Sequence, residues 1–299
     1  MRKIFSLTFW LTIIIFASTI SHAQTNDWVR VISDDGEFSI EVPAKHNFFY
    51  DKQGFLSAKG GENTRVENMN MLNAFHDGTL VSFETYQSKK GALDTFYEHD
   101  KRISKNVTVD FSEIKNNGTT IKQIVTKTDK YYCLRQFFHS KSNIYILTAA
   151  SENGVNATIK RFLDSLVFRA DKKDNSSNNS ILFSSLKVTP VNVVQATLNN
   201  VSTTDSSADR NLDSLLIVKR AIPIYTEAAR VKGVQGTVLL RATFSEDGFI
   251  PKIEVVKSLP HGLLRQAIFT MLRLKFLPQK KDGKYETVTK VLEYNFLMY

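Results

Sequence analysis

The sequence predicts an α+β protein of two domains. The first is an antiparallel sheet domain with flanking helices. The second lays two helices on one face of a three-stranded antiparallel sheet. Three observations carry this. Apolar residues alternate with period two through most of residues 28–150, as half-buried strands require. Helical spacing of apolar residues interrupts that alternation at a few places in each half. The run Asp171-Lys172-Lys173-Asp174-Asn175-Ser176-Ser177-Asn178-Asn179-Ser180 has no apolar residue, so it has nothing to bury and reads as flexible chain.

In the first domain, residues 27–170, Trp28, Val29, Val31 and Ile32 open a strand. Asp34-Asp35-Gly36 is a turn, after which Phe38, Ile40 and Val42 share a face of a strand that Pro43 ends. Residues 51–70 are polar and hold Gly54, Gly60 and Gly61, which predicts a mobile loop. Residues 80–86 form a strand, and residues 91–103 a helix with Leu93, Phe96, Tyr97 and Ile103 turned inward. Strands at 107–114, 119–128, 131–139 and 143–150 follow, with turns at Asn117-Gly118 and Thr128-Asp129-Lys130. Val155, Ile159, Phe162, Leu163 and Leu166 recur at helical spacing and close the domain.

Residues 171–214 are expected to be a linker, with a second polar run at 202–211. Between the two runs, residues 181–201 alternate weakly and read as a strand or a docked segment.

The second domain spans residues 215–299. Pro223 and Thr226-Glu227 mark a helix start: a threonine side chain accepts from first-turn amides, and glutamate suits the positive helix end. Ile224, Ala228 and Val231 are its expected inward stripe, and Gly233 ends it. Val238, Leu240, Ala242 and Phe244 face one way in a strand, Glu246-Asp247-Gly248 is the turn, and Ile253 and Val255 continue the hairpin. A second helix follows Pro260-His261-Gly262, with Leu264, Ala267, Ile268 and Met271 as its stripe. The last strand, 287–296, places Val288, Leu292, Tyr294 and Phe296 inward.

Composition excludes several classes. The formal net charge is +9, from 39 Lys and Arg against 30 Asp and Glu. The basic pairs Lys89-Lys90, Lys101-Arg102, Lys172-Lys173 and Lys280-Lys281 are scattered. A nucleic-acid groove needs a stripe of them with interleaved aromatics, so no nucleic-acid partner is expected. The single cysteine, Cys133, cannot form an internal disulfide. At the N-terminus, Arg2 and Lys3, the apolar run 5–20 and Ser21-His22-Ala23 read as a cleavable secretory signal over residues 1–23. The run is shorter than the about 20 residues a spanning helix needs. An exported, periplasmic protein is therefore expected, held in the inner membrane only if the signal is retained. No cysteine follows the run to carry a lipid anchor.

No constellation for catalysis is evident. His46, His76, His99 and His139 show no metal-ligand spacing and none lies close in sequence to the cysteine, so no metal is expected. Cys133 as a nucleophile would need a neighbouring base and a lowered pKa. It sits in a strand-like run with Tyr131, Arg135 and Phe137 on one face, where a structural thiol is the natural reading. There is no nucleophile elbow, phosphate loop or dinucleotide glycine pattern, so neither cofactor nor enzymatic activity is expected.

The strings Pro223-Ile224-Tyr225-Thr226-Glu227-Ala228-Ala229-Arg230, Gly233-Val234-Gln235-Gly236-Thr237-Val238, the turn Gly248, Leu274-Lys275-Phe276-Leu277-Pro278 and Tyr294-x-Phe296 resemble the C-terminal domain of TonB-family proteins. Thr226 departs from the proline frequent there, but both residues start helices. More weakly, Asp35-Gly36-Glu37-Phe38-Ser39-Ile40-Glu41-Val42-Pro43 and Arg161-Phe162-Leu163-Asp164-Ser165-Leu166-Val167-Phe168 resemble the ends of PsbP-like α/β domains of exported bacterial proteins.

The TonB resemblance implies a module that binds partners and does no chemistry. It implies strand addition, in which a segment of an envelope or outer-membrane protein pairs with the exposed edge of the last strand. Thr287, Thr289, Val291, Glu293 and Asn295 are the expected partner-binding residues. The same edge could instead pair in a homodimer or be capped by residues 181–201. A TonB-type energy transducer would need a retained membrane segment and a long stiff spacer. The expected linker holds one proline, Pro190, and about 44 flexible residues average roughly 35–40 Å end to end. Such a transducer, and a hydrolase or small-ligand binder built around Cys133 or His99 in the first domain, are the competing expectations.

Overall fold

A computed structural model describes residues 27–52, 55–57, 63–65, 67–87, 92–103, 108–116, 119–140, 143–168, 179–196 and 215–298. The expected signal at 1–23, the polar runs at 171–178 and 202–211, and the turn Asn117-Gly118 lie outside them, as does the side chain of His99. Among the described residues no helix is long and apolar enough to cross a membrane.

The first domain runs β1 (Trp28–Ile32), β2 (Phe38–Pro43), β3 (Asn47–Asp51), β4 (Phe55–Ser57), β5 (Asn63–Arg65), β6 (Glu67–His76), β7 (Thr79–Gln87), α1 (Ala92–Ile103), β8 (Thr108–Asn116), β9 (Thr119–Lys127), β10 (Tyr132–Ser140), β11 (Asn143–Ser151), α2 (Ala157–Asp164) and β12 (Val167–Phe168). Then come β13 (Ser180–Leu182), a 3-10 turn at Phe183–Ser185, and β14 (Asn192–Gln195). The second domain contains β15 (Leu216–Lys219), α3 (Glu227–Val231), β16 (Gly236–Phe244), β17 (Lys252–Lys257), α4 (Leu263–Leu272), β18 (Lys275–Leu277), β19 (Gln279–Lys281), β20 (Lys284–Glu286) and β21 (Val288–Phe296).

The first domain is built on an antiparallel seven-stranded sheet, β3-β6-β7-β11-β10-β9-β8. On one face, Val31, Phe38, Ile40 and Val42 from β1 and β2, with Ile159 and Phe162 from α2, pack on Leu72, Phe83, Tyr145 and Leu147. Asn156 caps α2, accepting from the Ile159 amide at 2.9 Å. On the other face, Phe96 and Tyr97 of α1 meet Tyr86, Phe137, Ile144 and Ile146, together with Phe269 from α4 of the second domain. With both faces covered, β11 is buried almost throughout and its sequence is nearly continuous in apolar or small residues.

The loop expected at 51–70 is partly strand. β4 and β5 form a small hairpin, and β6 pairs with β3 and β7 in the main sheet. The asparagines at 68, 70 and 73 disguise β6. It buries Met69, Met71 and Leu72, and it carries a bulge between Glu67 and Asn70, where Asn68 adopts a positive φ of 48°.

The second domain has the expected antiparallel β17-β16-β21 sheet under two helices, but β14 adds a fourth strand, parallel to β17. The expected linker 171–214 therefore includes ordered structure. β13 pairs in parallel with β1 of the first domain, and β14 pairs with β17 of the second. Thr226 caps α3 as expected, accepting from the Ala229 amide at 3.2 Å and donating to the His261 carbonyl at 2.6 Å. The expected stripe of α3 is corrected. Ala229 is the buried residue, Ala228 is exposed and Val231 is 74% exposed. A five-residue helix has too few turns to build a stripe.

α4 is buried on two sides. Leu263, Ala267 and Met271 join its own sheet, while Phe269 enters the first domain's core. The domains also meet through ion pairs Lys45–Asp247 (2.6 Å) and Arg265–Asp51 (2.9 Å), and by Tyr285 edge-on to Phe75 at 4.8 Å.

Candidate partner-binding edge

β21 begins after Thr287 and pairs antiparallel with β16 in the register Thr289 to Thr243, Val291 to Arg241, Glu293 to Leu239 and Asn295 to Thr237. Period-two alternation turns Leu292, Tyr294 and Phe296 into the core and leaves Thr289, Glu293 and Asn295 exposed and Val291 half-buried. Four of the five expected binding residues thus lie along β21 on the face away from the core, and Thr287 directly precedes the strand. Thr287 accepts from the Glu246 amide at 3.3 Å, Thr289 lies 3.5 Å from the Thr243 hydroxyl, and Asn295 accepts from Thr237 at 2.6 Å. Arg241, opposite Val291, is bound to Glu254 at 3.0 Å.

The two edges of this sheet differ. On the β17 side, β14 pairs from Asn192 to Gln195, and the flanking bonds Asn192 N–H to Pro251 and Ala196 N–H to Val255 extend the match. Of the expected 181–201 segment, residues 192–196 therefore cap the β17 edge, and none of its described residues pairs with β21. On its outer side β21 pairs with no strand among the described residues.

A cleft of about 270 Å³ lies against β21, lined by Arg220, Ala221, Leu274, Val291, Leu292, Glu293 and Tyr294. Arg220 is exposed. The Tyr294 hydroxyl is buried and has no hydrogen-bond partner among the described residues. Burial pushes its pKa well above the ordinary tyrosine value, with Arg220 opposing, so the phenol stays protonated and offers a donor. Arg220 and the donor role of Tyr294 are not among the residues the sequence pattern singles out. The arginine closing the apolar run 215–218 was the available signal for the first, and none existed for the second.

The first domain's chemical candidates do not converge. Cys133 is buried among Leu80, Ala150 and Leu277, and burial pushes its thiol up to about 12, the reverse of an activated nucleophile. His46 Nδ1 is 2.9 Å from the Pro43 carbonyl, and His76 packs edge-on to Trp28 at 5.7 Å. Asp100, next to His99 in sequence, is buried in an ion pair with Arg135 and lies 3.4 Å from Lys219 Nζ. Among the described residues no three His, Cys, Asp or Glu side chains gather as metal ligands.

Residues 222–298 match the family model described as Gram-negative bacterial TonB protein C-terminal, so the second domain is a TonB C-terminal-type segment. Among solved structures the chain is similar to the Pseudomonas aeruginosa TonB C-terminal domain, at 24% identity and a TM-score of 0.26, covering 30% of this chain and 91% of that one. It is also similar to PA94, a Pseudomonas aeruginosa protein of unknown function, at 14% identity and a TM-score of 0.19, covering 38% of this chain and 77% of that one. No curated protein matches the chain.

Proposed function

We propose that this is a non-enzymatic protein of the bacterial envelope whose second domain binds an extended segment of another envelope protein by strand addition to β21. The observation that carries the reading is the asymmetry of the sheet. β14 occupies the β17 edge, while the outer edge of β21 pairs with no strand among the described residues. An unpaired strand edge offers amide and carbonyl groups that an incoming peptide satisfies. The adjoining cleft supports a ligand with a hydrogen-bond acceptor, a carbonyl or carboxylate, which the exposed Arg220 would receive. The match of residues 222–298 to a Gram-negative TonB segment supports the envelope setting. The raised pKa of Cys133 and the commitment of Asp100 to its ion pair with Arg135 favour a non-catalytic first domain. Direct packing of the two domains favours a fixed binding unit over a tether that is pulled.

Site-directed crosslinking tests the reading. Cys133 is buried and can be replaced by alanine, leaving single cysteines at Thr289, Val291, Glu293 or Asn295. The expected result is capture of one envelope protein through an extended segment at these positions, and none from a control cysteine at Val193 on β14. Equal capture at Val193, or adducts with a second copy alone, would replace strand addition to a partner with non-specific contact or a homodimer.

A further inference from the structure

The seam between the domains holds six buried charged side chains. Lys219 ends β15, Arg273 follows α4 and Lys275 begins β18; the first domain supplies Glu84 from β7, Asp100 from α1 and Arg135 from β10. Four are cations and two are carboxylates. Glu84 accepts from Lys275 at 3.1 Å and from the Tyr86 hydroxyl. Asp100 is in closest contact with Arg135 and lies 3.4 Å from Lys219. Arg273 donates to the Tyr86 hydroxyl at 3.1 Å. Arg135 Nη2 and Arg273 Nε are buried without a hydrogen-bond partner among the described residues. The cluster therefore carries more positive charge than these carboxylates balance.

An uncompensated buried cation is unstable, and proton release is the remedy available to a side chain that can lose one. Guanidinium groups do not deprotonate in proteins, so the remedy falls to a lysine. Lys275 holds Glu84 and also donates to Asn73 Oδ1 at 2.8 Å. Lys219 instead shares Asp100 with a closer arginine. The groups around Lys219 are Asp100 of α1, Arg135 and Cys133 of β10, Glu84 of β7, Arg273 after α4 and Lys275 of β18. Burial first, then Arg135, depresses its pKa well below the ordinary lysine value, against the pull of Glu84. The next residues, Arg220 and Ala221, form a wall of the cleft beside β21, and Leu274, which precedes Lys275, lines it too.

We infer that Lys219 is a proton-operated latch: as the neutral amine it seats β15 against the first domain and fixes one wall of the β21 cleft, and uptake of a solvent proton on Nζ loosens that wall. The importance of the cleft rests on the strand-addition reading; the latch does not. Because the folded pKa is depressed, the unfolded chain binds more protons between the folded value and lysine's ordinary range. Stability from this group therefore rises with pH across that window and is lost as pH falls through the folded value.

The test compares the full chain with Lys219→Met and Lys219→Arg, reading thermal melting from pH 6 to 10 and amide exchange at residues 216–219 corrected for intrinsic rates. Lys219→Met is expected to melt about 2–4 °C higher at pH 7, to flatten the rise toward pH 10, and to slow exchange in β15. Lys219→Arg, a fixed cation, is expected to melt lower and exchange faster. A methionine variant that melts below the wild type, fails to fold, or keeps the wild-type pH slope would overturn the latch and make Lys219 a plain charged partner of Asp100. No partner is measured, so failure of the strand-addition reading leaves this test intact.

Discussion

Lys275 Nζ lies 3.1 Å from a Glu84 carboxylate oxygen, and each side chain is 1% exposed. This pair joins the TonB-type domain to β7, an interior strand of the first domain's sheet. Removing one partner of such a pair strands a buried charge. Lys275→Met or Glu84→Leu alone is therefore expected to destabilise the protein by about 3–5 kcal/mol. The double variant replaces both charges with apolar groups and should recover most of that loss. Chemical denaturation of the four proteins gives the coupling directly; additive losses would mean that the two charges act independently.

The same pair predicts that stability rises with pH in two separate windows, one acid and one alkaline. Cations hold the Glu84 carboxyl far below the ordinary carboxylate value, outweighing its burial. Its contribution is present above the ordinary carboxylate pKa and is lost as pH falls through the folded value. Burial lowers Lys275 to about 8 despite Glu84, with Arg273 and Arg135 adding to the depression. The unfolded chain then binds more protons between about pH 8 and the ordinary lysine range, so stability rises with pH over that interval. The fold thus favours the charged form of Glu84 and disfavours the charged form of Lys275. The surplus of cations explains the difference: Glu84 gains from several, while Lys275 is repelled by the others. Melting curves for wild type and the double variant should diverge at acid pH and above pH 8.

Local features of this fold were readable from the sequence, and long-range ones were not. The Thr226 cap, the turn at Asp34-Asp35-Gly36 and the strands around 80–86 and 143–150 depend on neighbours in sequence. β14 does not: four residues, mostly exposed, become a strand because β17 offers an edge. The outward positions of β21 follow from alternation, but which sheet edge stays open depends on where β14 lands. Glu84 and Arg135 sit at inward positions of apolar strands, a hint of buried partners, while Lys219 and Lys275 lie in the other domain.

Two turn glycines should separate backbone strain from domain contact. Gly248 has φ +76°, and a Cβ there would lie 2.9 Å from Phe75 Cβ in the first domain. Gly283 has φ +80° with nothing within 4 Å of its would-be Cβ. Gly283→Ala incurs the left-handed penalty alone, about 1–2 kcal/mol. Gly248→Ala adds overpacking of the domain contact, a further loss of about 1–3 kcal/mol. Urea titrations that rank the two variants equally would show that Phe75 yields freely.

Cys133 reports on the seam. Its thiol is buried among Leu80, Ala150 and Leu277, with Leu216 and Val218 of β15 packed over them. With the thiol pushed up to about 12, alkylation near pH 8 needs an opening that restores both access and an ordinary pKa. If modification is slow compared with closing, its rate follows the population of that open form. Glu84→Leu weakens the contact that holds β18 in place, so it should speed alkylation by roughly 10²–10⁴-fold, the equivalent of the 3–5 kcal/mol expected for the broken pair. The Lys275→Met, Glu84→Leu double variant should return the rate toward wild type. Mass-spectrometric labelling kinetics measure this, and a rate unchanged by Glu84→Leu would mean that Cys133 is reached without parting the domains.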